Sequence, residues 1–173
     1  MNAASWVRLA IVAIVAVVVQ VSVLDDIDLF GAHADAMIVL AAAGGVVAGP
    51  ARGAIIGFVA GCLSDLTVSL PFGFGPLALV LVGFGAPYLL RAASGRDLPS
   101  AELATTVIAS VAGTALYALF AAAVGQPAML GAAVGRAMIL VAAGAIVFGL
   151  VMLRAVRWVL APSLSAIGGI GAG

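Results

Sequence analysis

The sequence predicts an all-α integral membrane protein that folds as a bundle of six transmembrane helices. Of its 173 residues, 65 % are hydrophobic and 8 % are charged. Together with a mean hydropathy of +1.34, this composition excludes the soluble globular class. The apolar residues run continuously and do not alternate with polar ones, which favours helices over the dyad pattern of an outer-membrane barrel.

Clusters of glycine, proline and charged residues divide the chain into six apolar segments, and we expect each segment to be one transmembrane helix. The segments form a single polytopic domain, 1–163, which is followed by a short Gly/Ala/Ser-containing tail, 164–173. The second and fourth segments fall short of the ~20 residues of a typical span, so they require local thinning or shielding by neighbours. The predicted spans are 6–24, 34–47, 52–70, 76–90, 101–124 and 130–160.

The arginines fall almost entirely on one side of this six-span arrangement. The seven basic residues are all arginine, and only Arg136 lies on the side that carries Asp25, Asp26, Asp28 and Asp35. Because loops rich in arginine stay in the cytoplasm, we expect both termini to be cytoplasmic. The arginines on the cytoplasmic side are Arg8, Arg52, Arg91, Arg96, Arg154 and Arg157.

Gly53, Gly57 and Gly61 lie four residues apart in the third segment, and we call them the glycine row. Residues at this spacing share one helix face, so the glycine row forms a smooth strip that another backbone can approach closely. The strip either packs against a helix of the same chain or faces a partner or a ligand. A second small pair, Gly131 and Gly135, occurs at the start of the last segment.

Asp65 extends the glycine row by one more step of four and lies inside a predicted span. An unpaired charge there is costly, so the carboxylate requires a charged partner, a helix N-terminus or a water-filled cavity. Arg136 enters the last span from the same side and is the candidate charged partner; the alternative is that each side chain reaches the interface separately. Gln20, near the outer end of the first span, either bonds across helices or contacts headgroups.

The sequence gives little support to catalysis or to metal binding. The acidic run at 25–28 could attract a divalent cation, but a solvated outer loop explains it more simply. His33 and Cys62 each occur once, which leaves no set of zinc ligands and no disulfide. Asp65 is the lone carboxylate well inside a span, whereas aspartyl chemistry needs two. We therefore expect a non-enzymatic protein with no cofactor, no metal and no nucleic-acid partner.

The stretch GFVAGCLSDL, followed by PFGFGPLALVLVG, resembles the rod-shape-determining protein MreD family. In that family a G-F-x-x-G-x-x-x-D segment precedes a glycine-containing turn and the next hydrophobic span. The chain length and the number of predicted spans also agree with the family. The matching residues are Gly57, Phe58, Gly61 and Asp65, with Gly73 and Gly75 in the turn.

The resemblance implies a non-enzymatic protein of the bacterial inner membrane that acts as a scaffold or regulator of the elongasome, the complex that controls cell shape through peptidoglycan synthesis. Its implied partners are an MreC-like bitopic protein and, through the complex, an MreB-like filament, a lipid-II polymerase and a class B penicillin-binding transpeptidase. The MreD fold is similar to the S components of energy-coupling-factor transporters, so a vitamin-binding S component is the alternative function. A polar vitamin needs several hydrogen-bonding groups, and the outer thirds of these spans offer few.

Overall fold

The computed structural model of the chain describes residues 3–20, 36–67, 73–92, 98–123 and 132–168. These residues form helices and no strand, so the predicted all-α class is confirmed for the part of the chain that is described. The six helices are α1 (Ala3–Val19), α2 (Ala36–Ala48), α3 (Pro50–Thr67), α4 (Phe74–Ala92), α5 (Leu98–Ala123) and α6 (Ala132–Gly168).

Three of these helices are long and apolar enough to cross a membrane. The stretches that meet these criteria are Phe74–Ala92 in α4, Pro99–Phe120 in α5 and Met138–Ala161 in α6. Helices α1 and α2 are also apolar but contain only 17 and 13 residues. The helices are thus compatible with a membrane protein, and the count of six spans stays a prediction.

The helix ends differ from the predicted spans in two informative places. Helix α3 begins at Pro50 because Gly49, with φ of 81°, ends α2, and proline suits the first position of a helix. Helix α6 continues to Gly168, although the sequence predicts a tail from 164. Residues 164–167 read Leu-Ser-Ala-Ile and contain no helix breaker, so the helix runs on until the first glycine of the terminal pair.

Helix α2 lies at the centre of the bundle. Every residue from Ala36 to Val46 is buried, and the helix contacts all five of the others. A helix that is apolar on every side is typical of a protein core or of a membrane span, and here the five other helices surround it. The neighbouring helices therefore supply the shielding that the short second segment requires.

Helices α3 and α4 meet backbone to backbone along the glycine row. A Cβ atom added at Gly53, Gly57 or Gly61 would lie between 2.1 and 2.4 Å from backbone atoms of α4. The shortest of these distances joins the position at Gly57 to the carbonyl oxygen of Leu79. No side chain fits in such a space, so the glycine row packs against a helix of the same chain, which is one of the two predicted alternatives.

Two further glycines complete this contact from the opposite side. A Cβ atom at Gly83 of α4 would lie 2.2 Å from the carbonyl oxygen of Gly53, and one at Gly45 of α2 would lie 2.2 Å from that of Gly83. Three backbones from α2, α3 and α4 therefore meet at one point with no side chain between them. Such close approach increases van der Waals contact, which is the main force that holds helices together in a membrane.

The second predicted glycine pair behaves differently. A Cβ atom at Gly135 would have no neighbour within 4 Å among the described residues, so this glycine makes no close helix contact there. Gly131 lies outside the described residues. Of the described glycines in the two predicted sets, those of the glycine row make close backbone contacts and Gly135 does not.

The replacement Gly57→Ala tests the backbone contact. The added methyl group collides with a backbone carbonyl that cannot rotate away, so we expect the protein to lose about 1–3 kcal/mol of stability. Gly85→Ala in α4 is the matched control, because a Cβ atom there has nothing within 4 Å, and replacing a helical glycine by alanine in open space is neutral or stabilising. Unfolding by denaturing detergent measures both variants. Equal behaviour of the two would contradict the close contact.

Candidate functional site

The Asp65 carboxylate binds the N-terminus of α4. One of its oxygens, Oδ2, accepts a hydrogen bond of 2.7 Å from the backbone N–H of Gly73, and Oδ1 accepts one of 3.1 Å from that of Gly75. The side chain is buried, with 5 % of its surface exposed. The sequence allows three kinds of partner for this charge, and the partner found in the structure is a helix N-terminus.

The local sequence around the start of α4 makes room for this carboxylate. Gly73 has φ of 112°, a conformation that favours glycine, and its carbonyl oxygen accepts the first hydrogen bond of α4, from Leu77. A Cβ atom at Gly75 would lie 2.2 Å from Oδ1 of Asp65. Pro76 follows and has no N–H, so it adds no unpaired donor to the first turn. Gly73 and Gly75 are thus the two residues of the turn that contact the carboxylate.

Two effects stabilise the negative charge at this position. The first turn of a helix has N–H groups with no partner within the helix, and the aligned peptide dipoles place a partial positive charge there. Hydrogen bonds to an ionised acceptor contribute about 1.5–3 kcal/mol, more than neutral ones. Asp65 therefore joins the end of α3 to the start of α4, next to the contact that the glycine row makes.

Gln20 makes a comparable connection between α1 and α2. Its side-chain oxygen accepts a hydrogen bond of 3.1 Å from the backbone N–H of Ala36, the first residue of α2, and the side chain is buried. Of its two predicted roles, the structure contains the bond across helices. In both cases a polar side chain at the end of one helix satisfies the N-terminus of the next.

The predicted pair of Asp65 and Arg136 stays a prediction. The backbone of Arg136 belongs to α6, but its side chain lies outside the described residues. His33 and the acidic run at 25–28 also lie outside the described residues. The bonds from Gly73 and Gly75 nevertheless account for the burial of Asp65 without a cation.

An open groove between α3 and α4 runs past the buried carboxylate. It has a volume of about 710 Å³, and its surface is almost entirely apolar. Among the described residues that line it, Asp65 is the one that carries a charge, and both of its oxygens already accept backbone hydrogen bonds. The lining residues are Phe58, Cys62, Asp65, Leu66, Gly73, Pro76, Leu77 and Val80.

Polar contacts also connect helices at the opposite end of the bundle. The guanidinium of Arg8 in α1 lies over the ring of Trp158 in α6, with 4.6 Å between its Cζ atom and the ring centroid. It also donates a hydrogen bond of 2.9 Å to the Trp158 carbonyl oxygen. Arg157 forms an ion pair with Glu102 of α5. We call the end that contains these four residues the arginine end.

The sequence explains why the Trp158 carbonyl oxygen is free to accept a bond from Arg8. In an α-helix this oxygen accepts from the residue four positions later. That residue is Pro162, which has no N–H. A backbone carbonyl group that lacks its helical donor needs another one, and the Arg8 guanidinium supplies it. This bond joins α1 to α6.

Within the described residues there is no group of three or more His, Cys, Asp or Glu side chains that could hold a metal ion. Comparison with known proteins adds no assignment: no family model, no curated protein and no solved structure matches this chain significantly. The contacts of the chain itself are therefore the basis for a functional proposal.

Asp65→Asn tests the connection between α3 and α4. The asparagine amide group can accept from only one of the two N–H groups and places a donor against the other, so we expect a loss of about 2–3 kcal/mol. Hydrogen exchange should accelerate at the first turn of α4. Glu102→Gln is the matched control, because it removes a carboxylate from an ion pair whose cation, Arg157, is 54 % exposed, and it should cost about 1 kcal/mol or less.

The double reversal Asp65→Arg with Arg136→Asp separates this account from a simple ion pair. An ion pair predicts that the double variant recovers the membrane level that either single reversal loses. We expect no recovery, because an arginine cannot accept the two backbone hydrogen bonds. Full recovery would show that Asp65 acts through an ion pair with Arg136 and not through the helix N-terminus.

Proposed function

We propose that this chain is a multi-pass protein of the bacterial inner membrane, with both termini in the cytoplasm, that acts as an MreD-like scaffold or regulator of cell-wall elongation. In this role it binds an MreC-like bitopic protein within the membrane. Through that complex it is connected to an MreB-like filament, a lipid-II polymerase and a class B penicillin-binding transpeptidase. It catalyses no reaction and uses no cofactor.

One observation carries this proposal: the residues that resemble the family motif serve a single structural unit. Gly57 and Gly61 allow α3 to touch the backbone of α4, and Asp65 binds the N–H groups of Gly73 and Gly75. Glycines and a carboxylate that are fully engaged by their own chain favour a structural role over a reactive one. A rigid pair of helices is what a scaffold needs to present a fixed surface.

Phe58 is the one large side chain of the motif, and it takes no part in this unit. It is 54 % exposed at the edge of the groove between α3 and α4. Aromatic side chains are enriched where proteins contact each other, because they bury a large area at a small cost in entropy. We place the contact with the MreC-like membrane helix on this side of the bundle.

The alternative function, a vitamin-binding S component, receives less support from the same contacts. A polar ligand requires several hydrogen-bonding groups that converge on a cavity. The groove beside Asp65 is lined almost entirely by apolar atoms, and Gln20 and Asp65 are engaged by backbone N–H groups of α2 and α4. Their arrangement suits helix connection better than ligand capture.

Co-expression with the MreC-like protein of the same genome tests the proposal. We expect the two proteins to purify together in mild detergent. We expect Phe58→Ala to weaken this association by about ten-fold without lowering the membrane level, since a hot-spot aromatic contributes more than 1 kcal/mol. Leu119→Ala in α5, with a side chain 58 % exposed, is the matched control and should leave the association intact.

A thermal-shift assay with a panel of vitamins tests the alternative function. If one vitamin stabilises the protein and the MreC-like protein does not associate with it, the scaffold proposal is wrong and the S-component function is favoured. If both assays are negative, the proposed partner is wrong.

A further inference from the structure

The exposed face of α6 is apolar in its middle part and carries an arginine and a tryptophan further along. Four large apolar side chains lie on this face, and each is about half exposed or more. They are Ile146, Val147, Leu150 and Val151. Arg154 and Trp158 continue the same face by steps of three and four, and both are exposed. An occupant of this face must therefore be apolar along most of its length and compatible with a cation at one end.

The geometry at the arginine end gathers positive charge at that point. Arg8 of α1 is fixed over the Trp158 ring by the stacking contact and by its bond to the Trp158 carbonyl oxygen. Arg154 lies one turn before Trp158 on the same face of α6. Among the described residues, neither Arg8 nor Arg154 forms an ion pair, whereas Arg157 is neutralised by Glu102.

We propose that Arg8, Arg154 and Trp158 form a binding site for the phosphate group of an anionic membrane phospholipid, whose acyl chains lie along the apolar part of the α6 face. Guanidinium groups bind phosphate through paired hydrogen bonds and are more weakly hydrated than ammonium groups. Tryptophan prefers the level of the lipid headgroups. Since Arg8 donates through one terminal nitrogen to a carbonyl oxygen, its remaining N–H groups are available for a phosphate oxygen.

Two features favour a lipid over a free phosphate ion as the ligand. The apolar stretch of α6 leads directly to the cations, so the site matches a molecule with an acyl chain and a charged head. Arg154 is exposed on an outer face and Arg8 is half-buried against the Trp158 ring, so neither cation lies in an enclosed pocket and a small hydrated ion gains little there. The inference requires membrane insertion, but it does not depend on the proposed partners.

Arg91 of α4 provides a matched comparison on the same protein. It is exposed and lies over an aromatic ring, with 5.6 Å between its Cζ atom and the centroid of Tyr88. It thus has the charge and the stacking of Arg8, but the described part of α4 brings no second arginine to its face. A site that depends on two converging arginines should not respond to the loss of Arg91.

Native mass spectrometry of the full chain in a neutral detergent tests the site. Phosphatidylglycerol and phosphatidylcholine with the same acyl chains are titrated in turn. We expect phosphatidylglycerol to bind more tightly, and Arg154→Gln to weaken its binding about five-fold, the effect of one arginine near a charged lipid. Arg91→Gln should bind like the unmodified chain. Equal binding of the two lipids, or an equal loss in both variants, would overturn the proposal.

A fluorescence measurement tests the position of the lipid without changing any arginine. The chain has two tryptophans, so Trp6→Phe leaves Trp158 as the sole emitter. We expect phosphatidylglycerol with brominated acyl chains to quench Trp158 more strongly than brominated phosphatidylcholine at the same mole fraction. Inorganic phosphate should not reverse the difference. Equal quenching by the two lipids, or reversal by phosphate, would overturn the lipid site.

Discussion

The direct contact between the backbones of α3 and α4 is the constraint on which the rest of the structure depends. Because the glycine row removes all side-chain atoms between the two helices, their separation is set by main-chain atoms. This close approach brings the end of α3 near the start of α4, where Asp65 can reach two N–H groups. The same contact admits Gly45 of α2 and so holds the central helix in place.

Three polar side chains of the bundle share one role, because each bonds to a backbone group that has no partner within its own helix. Asp65 and Gln20 accept from N–H groups at helix starts, and Arg8 donates to the carbonyl oxygen that Pro162 leaves without a donor. Polar side chains used in this way connect consecutive or neighbouring helices. They leave the outer faces as the surfaces on which partners and lipids can act.

Much of this arrangement follows from the sequence, and the remainder depends on tertiary placement. Hydropathy and breakers predict the six helices, and the cost of a buried charge predicts that Asp65 needs a partner such as a helix N-terminus. The spacing of four that reveals the glycine row does not reveal Gly45 and Gly83, because they lie on other helices and meet the row only after folding. The role of Pro162 was readable from its position four residues after Trp158, but the donor that replaces it, Arg8, lies at the other end of the chain.

Solid-state NMR of the chain in lipid bilayers, with 13C in the aspartate carboxyl groups and 15N in the glycine amides, directly measures the contact between Asp65 and the start of α4 that the close approach of α3 and α4 makes possible. The account predicts a dipolar coupling from the Asp65 carboxyl carbon to glycine nitrogen at a separation below about 4 Å, as a carboxylate–amide hydrogen bond requires. An Asp65→Asn sample, which lacks the labelled carboxyl group, identifies the signal. A spectrum with no more coupling than this blank would contradict the role assigned to Asp65.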